Sequence, residues 1–159
     1  MAEPLTAPRW THIALPVSDL ERSIGFYTEL TPLVVVHRNE DENGRSAWLS
    51  NDHQVVDPFV LVLAEFVPAV GLQFGQAAGE RTPILRPFAH IGIELPGHAD
   101  VDAIAAAADV AGALQMAPRE LAPHIGYVCF VEDPDGNIIE FSYNQHVFST
   151  IAALWGDRP

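Results

Sequence analysis

The sequence is poor in the features that mark several other classes of protein. It has a single cysteine, Cys129, which excludes a disulfide bond within the chain. No apolar run approaches the roughly 18 residues of a membrane-spanning helix, and the opening stretch, MAEPLTAPRW, has neither the basic nor the apolar part of a secretory signal. These absences predict a cytoplasmic protein in a reducing compartment.

Positive charge is also scarce. The sequence has 8 basic and 21 acidic residues, which gives a net charge of −13. That balance argues against nucleic acid, anionic membrane surfaces and highly phosphorylated ligands as partners. The 159 residues, 48% of them hydrophobic, are enough for one globular domain with its own core. Composition alone does not name a function.

Hydrophobic periodicity predicts a strand, a helix and three further strands over residues 9–66. The helix lies in DLERSIGFYTEL, where Leu20, Ile24, Tyr27 and Leu30 recur at helical spacing. The four predicted strands lie in RWTHIALPV, LVVVHR, RSAWLS and PFVLVLAEF.

The same order of elements returns over residues 88–144. A strand, an alanine-rich helix and three strands are predicted in FAHIGIEL, HADVDAIAAAADVAGA, LQMAP, IGYVCFVE and NIIEFSY. Between the two modules, residues 67–87 contain three glycines and three prolines, which predict a linker or a flexible flap. Residues 146–156 predict a short amphipathic helix. We therefore expect a single domain made of two βαβββ modules, a linker and a C-terminal helix.

The two modules carry matching histidines and glutamates. THIAL aligns with AHIGI, which pairs His12 with His90, and LAEF aligns with IIEF, which pairs Glu65 with Glu140. The histidine precedes the glutamate by 53 residues in the first module and by 50 in the second. Imidazole nitrogen and carboxylate oxygen together suit a divalent Zn, Ni, Mn or Fe(II) ion. If Glu65 does not bind, two histidines and one carboxylate still match the facial triad of non-haem iron enzymes.

Glu140 lies in the stretch FVEDPDGNIIEF. The segment PDGN, at residues 134–137, predicts a hairpin turn between two strands. Glu140 follows that turn inside an apolar strand, where a carboxylate is costly unless something pairs with it. A metal ion bound together with His12, Glu65 and His90 would be such a partner.

HIALPVSDLERSIGFYTEL and FVEDPDGNIIEF resemble the first strand and helix and the closing hairpin of the vicinal oxygen chelate superfamily, also called the glyoxalase/bleomycin resistance/dioxygenase superfamily. The likeness spans roughly residues 9–144. It implies an α+β, glyoxalase-like fold in which two βαβββ modules form an open, cupped mixed sheet, usually in a homodimer. It also implies that His12, Glu65, His90 and Glu140 are metal ligands and that the partner is a small-molecule substrate.

The resemblance further implies a metal-dependent isomerase or lyase of the glyoxalase type. Such an enzyme acts on a small oxygen-chelating substrate through a metal-stabilised enediolate, and Glu140 and Glu65 would share the acid–base catalysis. Arg38 is a candidate anchor for substrate carboxylates, and His124 is a candidate proton donor at the mouth of the site. Phe130, ten positions before Glu140, would line the site.

Two alternatives stay open from the sequence. The first is an Fe(II) extradiol-type dioxygenase, although those enzymes and the fosfomycin-modifying members usually carry tyrosine where this chain has Phe130. The second is a metal-free, bleomycin-resistance-like protein that binds a drug or another ligand. The net charge of −13 suits a cationic drug. The four intact metal-ligand positions argue against it, because a metal-free binding protein has no use for them.

Overall fold

The computed structural model describes residues 8, 10–54 and 58–156, and over these the same arrangement of strands and helix occurs twice. The predicted strand RWTHIALPV begins at residue 9, outside the described residues. The first unit contains β1 (His12–Pro16), α1 (Leu20–Leu30), β2 (Leu33–Asp41), β3 (Gly44–Asn51) and β4 (Val60–Phe66). The second contains β5 (His90–Glu94), α3 (His98–Val110), β6 (Leu114–Glu120), β7 (Tyr127–Glu132) and β8 (Ile138–Tyr143).

Each unit builds one mixed four-stranded sheet. The strand orders are β1-β4-β3-β2 and β5-β8-β7-β6. In both sheets the first and last strands of the unit lie side by side and parallel, and the other neighbours are antiparallel. The predicted α+β fold of two βαβββ modules is therefore confirmed. The chain divides into compact units at Thr82 and Pro83, inside the predicted linker.

In the first unit, helix α1 covers one face of the sheet. Asp19 caps the start of the helix, because its carboxylate accepts a hydrogen bond from the Arg22 amide at 3.0 Å. The apolar stripe of the helix is buried as its spacing predicts, and the core residues of this unit include Leu20, Ile24, Tyr27, Ala47, Leu49, Leu61 and Leu63. Because side chains alternate along a strand, the neighbours of Leu61 and Leu63 on β4 lie on the opposite face.

In the second unit, helix α3 plays the same part. Its buried Val101, Ala105 and Ala108 share the core with Ile139 and Phe141. Cys129 also lies there, with its sulfur 3.9 Å from the Val101 carbonyl oxygen. Burial, with help from nearby carboxylates, raises the pKa of the Cys129 thiol to about 11. This cysteine is therefore a packing residue rather than a reactive thiol.

The linker contains more regular structure than its glycines and prolines predict. Helix α2 (Pro68–Gly71) and a 3₁₀ helix (Leu72–Phe74) directly follow β4, and the Phe74 ring stacks on Phe66 at 5.2 Å. The C-terminal helix α4 (Val147–Trp155) lies where it is predicted. Within the described part of the chain, no helix is long and apolar enough to cross a membrane.

Candidate functional site

The predicted PDGN turn fixes the position of β8. Asp133 Oδ1 accepts hydrogen bonds from the backbone amides of Asp135 and Asn137 at 2.9 and 2.8 Å. Gly136 adopts a φ of 94°, a left-handed conformation that glycine takes without a steric penalty. Asn137 Oδ1 in turn accepts from the amides of Ile84 and Leu85 at 2.8 and 3.0 Å. The turn is thereby tied to the chain that leads into β5.

The register of β5 and β8 brings His90 and Glu140 together. His90 lies beside Ile138, and Gly92 lies beside Glu140, so both side chains project from the same face of the sheet. That face is opposite to α3, since the buried Ile139 and its neighbours on the other face pack against the helix. His90 Nε2 is 3.7 Å from Glu140 Oε2. The second unit thus forms the predicted imidazole–carboxylate pair.

The orientation of the His90 ring is set by its other nitrogen. Nδ1 is 2.7 Å from the Phe88 carbonyl oxygen, which can only accept a hydrogen bond. Nδ1 therefore carries the proton, and in the neutral ring the lone pair is on Nε2, toward Glu140. Phe130 stacks against the imidazole at 5.7 Å, and Phe88 meets it edge-on at 5.6 Å. The predicted lining residue Phe130 thus contacts one of the predicted ligands.

Glu140 is almost fully buried, with 4% of its surface exposed. Besides His90, its partner is Gln145, whose Nε2 donates to Oε1 at 2.8 Å. The backbone amide of Gln145 donates to Glu94 Oε1 at 3.1 Å. Gln145 was not predicted as a site residue, because it lies beyond the end of β8 and only the path of the chain returns it to Glu140.

The first unit differs at the corresponding position. His12 lies beside Val60 and Ala14 beside Val62, so Val62 takes the place that Glu140 has in the second sheet. His12 is exposed, and its Nδ1 is 2.9 Å from Thr11 Oγ1. It lines a cavity of about 120 Å³ whose other walls are mainly apolar, formed by Trp10, Thr11, Pro58 and Phe59.

Glu65 projects from the opposite face, the one that α1 covers. Along β4 it follows the buried Leu61 and Leu63 at intervals of two residues, so it lies on the same face as they do. Its Oε2 accepts from the Leu20 amide at the start of α1 and from Arg45 Nη2, each at 2.7 Å. The structure therefore does not bring Glu65 to the face of His12. Sequence alone did not show this, because a helix, loops and a β-bulge lie between His12 and Glu65, and their separation of 53 residues does not determine how β1 and β4 pair.

Arg38 also lies on the helix-covered face. A β-bulge between Val35 and His37 shifts the pairing of β2, so Arg38 lies opposite Ala47. Both terminal nitrogens of Arg38 donate to Glu21 on α1, at 2.6 and 3.1 Å. This hydrogen-bonded pair lowers the pKa of Glu21 and raises that of Arg38. The carboxylate that Arg38 binds is thus one of the protein's own.

The remaining residues of interest lie on both units. His124 is exposed in the turn between β6 and β7, where the Ile125 amide donates to the Ala122 carbonyl at 2.7 Å. The bulge in β2 places His37 beside Trp48, with ring centroids 4.9 Å apart. Trp48 pairs with Val62, so this aromatic contact is on the His12 face, where sequence alone gave no reason to place His37.

Over residues 8, 10–54 and 58–156, no group of three or more His, Cys, Asp or Glu side chains is gathered closely enough to hold a metal ion. The His90–Glu140 pair still fits part of a metal site in its chemistry. It offers one imidazole lone pair and one carboxylate oxygen in a buried position, and both have neighbours that fix their orientation.

The comparisons with known proteins agree on one superfamily. The Glyoxalase/Bleomycin resistance protein/Dioxygenase superfamily model matches residues 9–141. An uncharacterized protein of Pseudomonas aeruginosa is 34% identical over 139 residues, which are 87% of this chain and 91% of that protein. A glyoxylase/bleomycin resistance protein/dioxygenase domain from Frankia sp. has a TM-score of 0.62 at 20% identity and covers 89% of this chain and 97% of its own. Glyoxalase I of Leishmania major has a TM-score of 0.61 at 20% identity, with 92% and 94% covered.

Proposed function

The chain belongs to the Glyoxalase/Bleomycin resistance protein/Dioxygenase superfamily, and we propose that it is a metal-dependent enzyme in which His90 and Glu140 are metal ligands. The observation that carries the proposal is the approach of His90 Nε2 to Glu140 Oε2 at 3.7 Å. The Phe88 carbonyl holds the proton of the neutral ring on Nδ1, so a lone pair faces a carboxylate. A divalent cation between these two atoms would satisfy both of them.

The pair suits a first-row divalent ion. Metal–nitrogen and metal–oxygen bonds of about 2.0–2.2 Å allow one ion to reach both atoms. Imidazole with carboxylate favours Zn, Ni, Mn or Fe(II) over Mg or Ca. When bound, such an ion would supply Lewis-acid polarisation of substrate oxygens. His12 stays the predicted ligand of the first unit, whereas Glu65 is left out of the proposed set because it binds the start of α1.

The proposed substrate is a small molecule with two adjacent oxygen atoms. Phe88 and Phe130 give the surroundings of His90 aromatic surfaces against which the apolar part of such a molecule would pack. The side chain of Phe88 is 84% exposed and is available for that contact. The net charge of −13 favours a neutral or cationic substrate over a polyanionic one.

The reaction we propose first is an isomerisation of the glyoxalase type. It needs one base that takes a proton from the carbon next to a carbonyl and delivers it to the neighbouring carbon. Glu140 is the candidate, since its carboxylate is buried beside His90 and is shielded from bulk water. One carboxylate suffices for both transfers, so this reaction does not depend on Glu65.

Ring cleavage by an Fe(II) dioxygenase is the second candidate, and the position of Val62 favours it. With valine where the second unit has Glu140, the predicted ligands are reduced to two histidines and one carboxylate, the set that non-haem iron enzymes use. Phe130 argues in the other direction, because the resemblance led us to expect tyrosine at that position in such enzymes.

The test measures metal binding and turnover on untagged protein. We expect close to one equivalent of a divalent ion per chain and a higher Tm when Zn²⁺, Ni²⁺, Mn²⁺ or anaerobic Fe²⁺ is added. A hemithioacetal assay and an oxygen-uptake assay with a catechol then separate the two reactions. Glu120→Gln is the matched control for Glu140→Gln, since Glu120 forms an exposed pair with His98 in the same unit, at 3.3 Å.

Each outcome has a definite consequence. Metal-dependent hemithioacetal turnover that Glu140→Gln abolishes and Glu120→Gln leaves intact supports the isomerase. Oxygen uptake with a catechol supports the dioxygenase instead. Protein that neither contains nor is stabilised by any of the four ions contradicts the metal-dependent proposal and leaves the metal-free ligand-binding protein.

A further inference from the structure

Gln145 holds the carboxylate that faces His90. Its Nε2 donates to Glu140 Oε1 at 2.8 Å, while the other oxygen, Oε2, is the one near His90 Nε2. The two oxygens of one buried carboxylate thus have separate partners. A carboxylate bound at one oxygen cannot turn about its terminal torsion without losing that hydrogen bond.

The backbone on both sides of Gln145 has an unusual conformation. Asn144 and His146, on either side of it, have φ values of 64° and 63°, in the left-handed region that non-glycine residues rarely adopt. Such conformations cost on the order of 1 kcal/mol or more each and persist only where surrounding contacts compensate for them. One compensating contact is the hydrogen bond from the Gln145 amide to Glu94 Oε1, at 3.1 Å.

These contacts form a continuous line along one face of the second sheet. Glu94 accepts from the Gln145 backbone, and the Gln145 side chain donates to Glu140. Glu140 faces His90, and His90 is bonded to the Phe88 carbonyl. In each member of the proposed ligand pair, the polar atom that does not face the other ligand therefore forms a hydrogen bond. This arrangement orients metal ligands in proteins.

We propose that Gln145 is a positioning residue that fixes the orientation of the Glu140 carboxylate, so that the oxygen it does not bind is presented beside His90 for a metal ion. This inference rests on the proposed function. An amide suits the task because it donates a hydrogen bond without a charge, so the carboxylate keeps its full negative charge for a cation. A lysine or arginine at the same place would neutralise it.

The experiment titrates full-length protein with Zn²⁺ by calorimetry and with Co²⁺ by visible absorption. The variants are Gln145→Leu, which removes the donor, and Gln145→Asn, which keeps the amide but is one methylene too short to reach. We expect each to lower metal affinity about 10–100-fold and to change the Co²⁺ spectrum, because the carboxylate is then free to turn. Gln73→Leu is the matched control, since the Gln73 side chain also donates one hydrogen bond, to the Ala69 carbonyl.

Thermal unfolding separates positioning from general support of the fold. The inference requires the Tm of at least one Gln145 variant to stay within about 2 °C of the wild type. Unchanged affinity and spectrum in both variants would overturn it and leave the proposed function standing. Equal losses of affinity and large falls in Tm in both variants would also overturn it, in favour of a structural role. A wild-type protein that binds no metal would remove the proposed function and this inference together.

Discussion

The two units share an order of elements and a sheet topology, yet they differ at the position that matters most for the candidate site. In both, a histidine begins the first strand and points away from the covering helix. The last strand of the second unit offers Glu140 beside that histidine, whereas the first unit offers Val62. Equivalent residues in the two units are thus identified by the register of the paired strands, and not by the similarity of short sequence segments.

Glu65, which the sequence match pairs with Glu140, has a different structural role in the first unit. Glu65 accepts a hydrogen bond from the Leu20 amide, one of the unpaired donors at the start of α1, and pairs with Arg45. A negative charge at that end of a helix is stabilising. The comparison therefore assigns one glutamate to holding a helix and the other to the candidate metal centre.

The largest effect that tests this comparison is on metal affinity. Glu140→Gln removes a charged ligand from the pair with His90, and we expect affinity for Zn²⁺ to fall at least about 100-fold, more than the loss of an outer-sphere contact causes. Glu65→Gln is the matched change in the other unit, and we expect less than about a twofold effect because Glu65 lies on the helix-covered face. Isothermal titration calorimetry on both variants measures the difference. Equal losses of Zn²⁺ affinity in the two variants would show that the similarity of the two sequence segments, and not the strand register, predicts the metal ligands.

The next effect is on the free energy of unfolding. Here we expect the change at Glu65 to cost more than the change at Glu140. Glu65→Ala leaves the Leu20 amide without its acceptor, and loss of such a contact at a helix start costs about 1–2 kcal/mol. Glu140→Gln keeps the shape of a side chain that is 4% exposed and removes a buried charge, so the metal-free protein should lose little. Urea unfolding in the presence of a chelator compares them, with Glu42→Ala in an exposed turn as control. A Glu65→Ala protein as stable as the control would remove the helix-anchoring role.

The sequence was sufficient for the fold because periodicity, capping and turn chemistry agree in both modules. Asp19 caps α1, the PDGN turn joins β7 to β8, and the repeated order of elements implies the repeated sheet. The sequence match between the two modules also singled out His90 and Glu140, and the parallel register of β5 and β8 brings both side chains to one face. The resemblance of the closing hairpin pointed to the same residue.

The sequence did not anticipate the placement of side chains where one residue changes the face of a strand or the path of a loop. The bulge after Val35 moves Arg38 to the helix-covered face and His37 to the opposite one. A bulge has no dependable signature in a run of β-branched residues. Gln145 depends on the left-handed conformations of Asn144 and His146, which neither residue type requires. Such features follow from tertiary contacts and are not encoded in local propensity.

The smallest expected effect concerns the position two residues beyond Glu140. Ser142 lies beside Glu94, and its counterpart in the first unit is Ala64, beside Pro16. Ser142 is fully buried, and its hydroxyl oxygen has no hydrogen-bond partner anywhere in the described ranges. A buried hydroxyl without a partner is destabilising, so Ser142→Ala, which copies the first unit, should raise stability by up to about 1 kcal/mol.

Urea unfolding of the metal-free protein measures this change, and Ser149→Ala provides a control, because Ser149 is exposed on α4 and bonds the His146 carbonyl at 3.1 Å. A rise or no change in stability for Ser142→Ala means that the second unit tolerates a buried polar atom beside its candidate centre at a small cost. A fall of more than about 1 kcal/mol would mean that the hydroxyl gains a partner in solution. In that case the polar face of the second sheet extends past Glu140, and the two units differ at two functional positions rather than one.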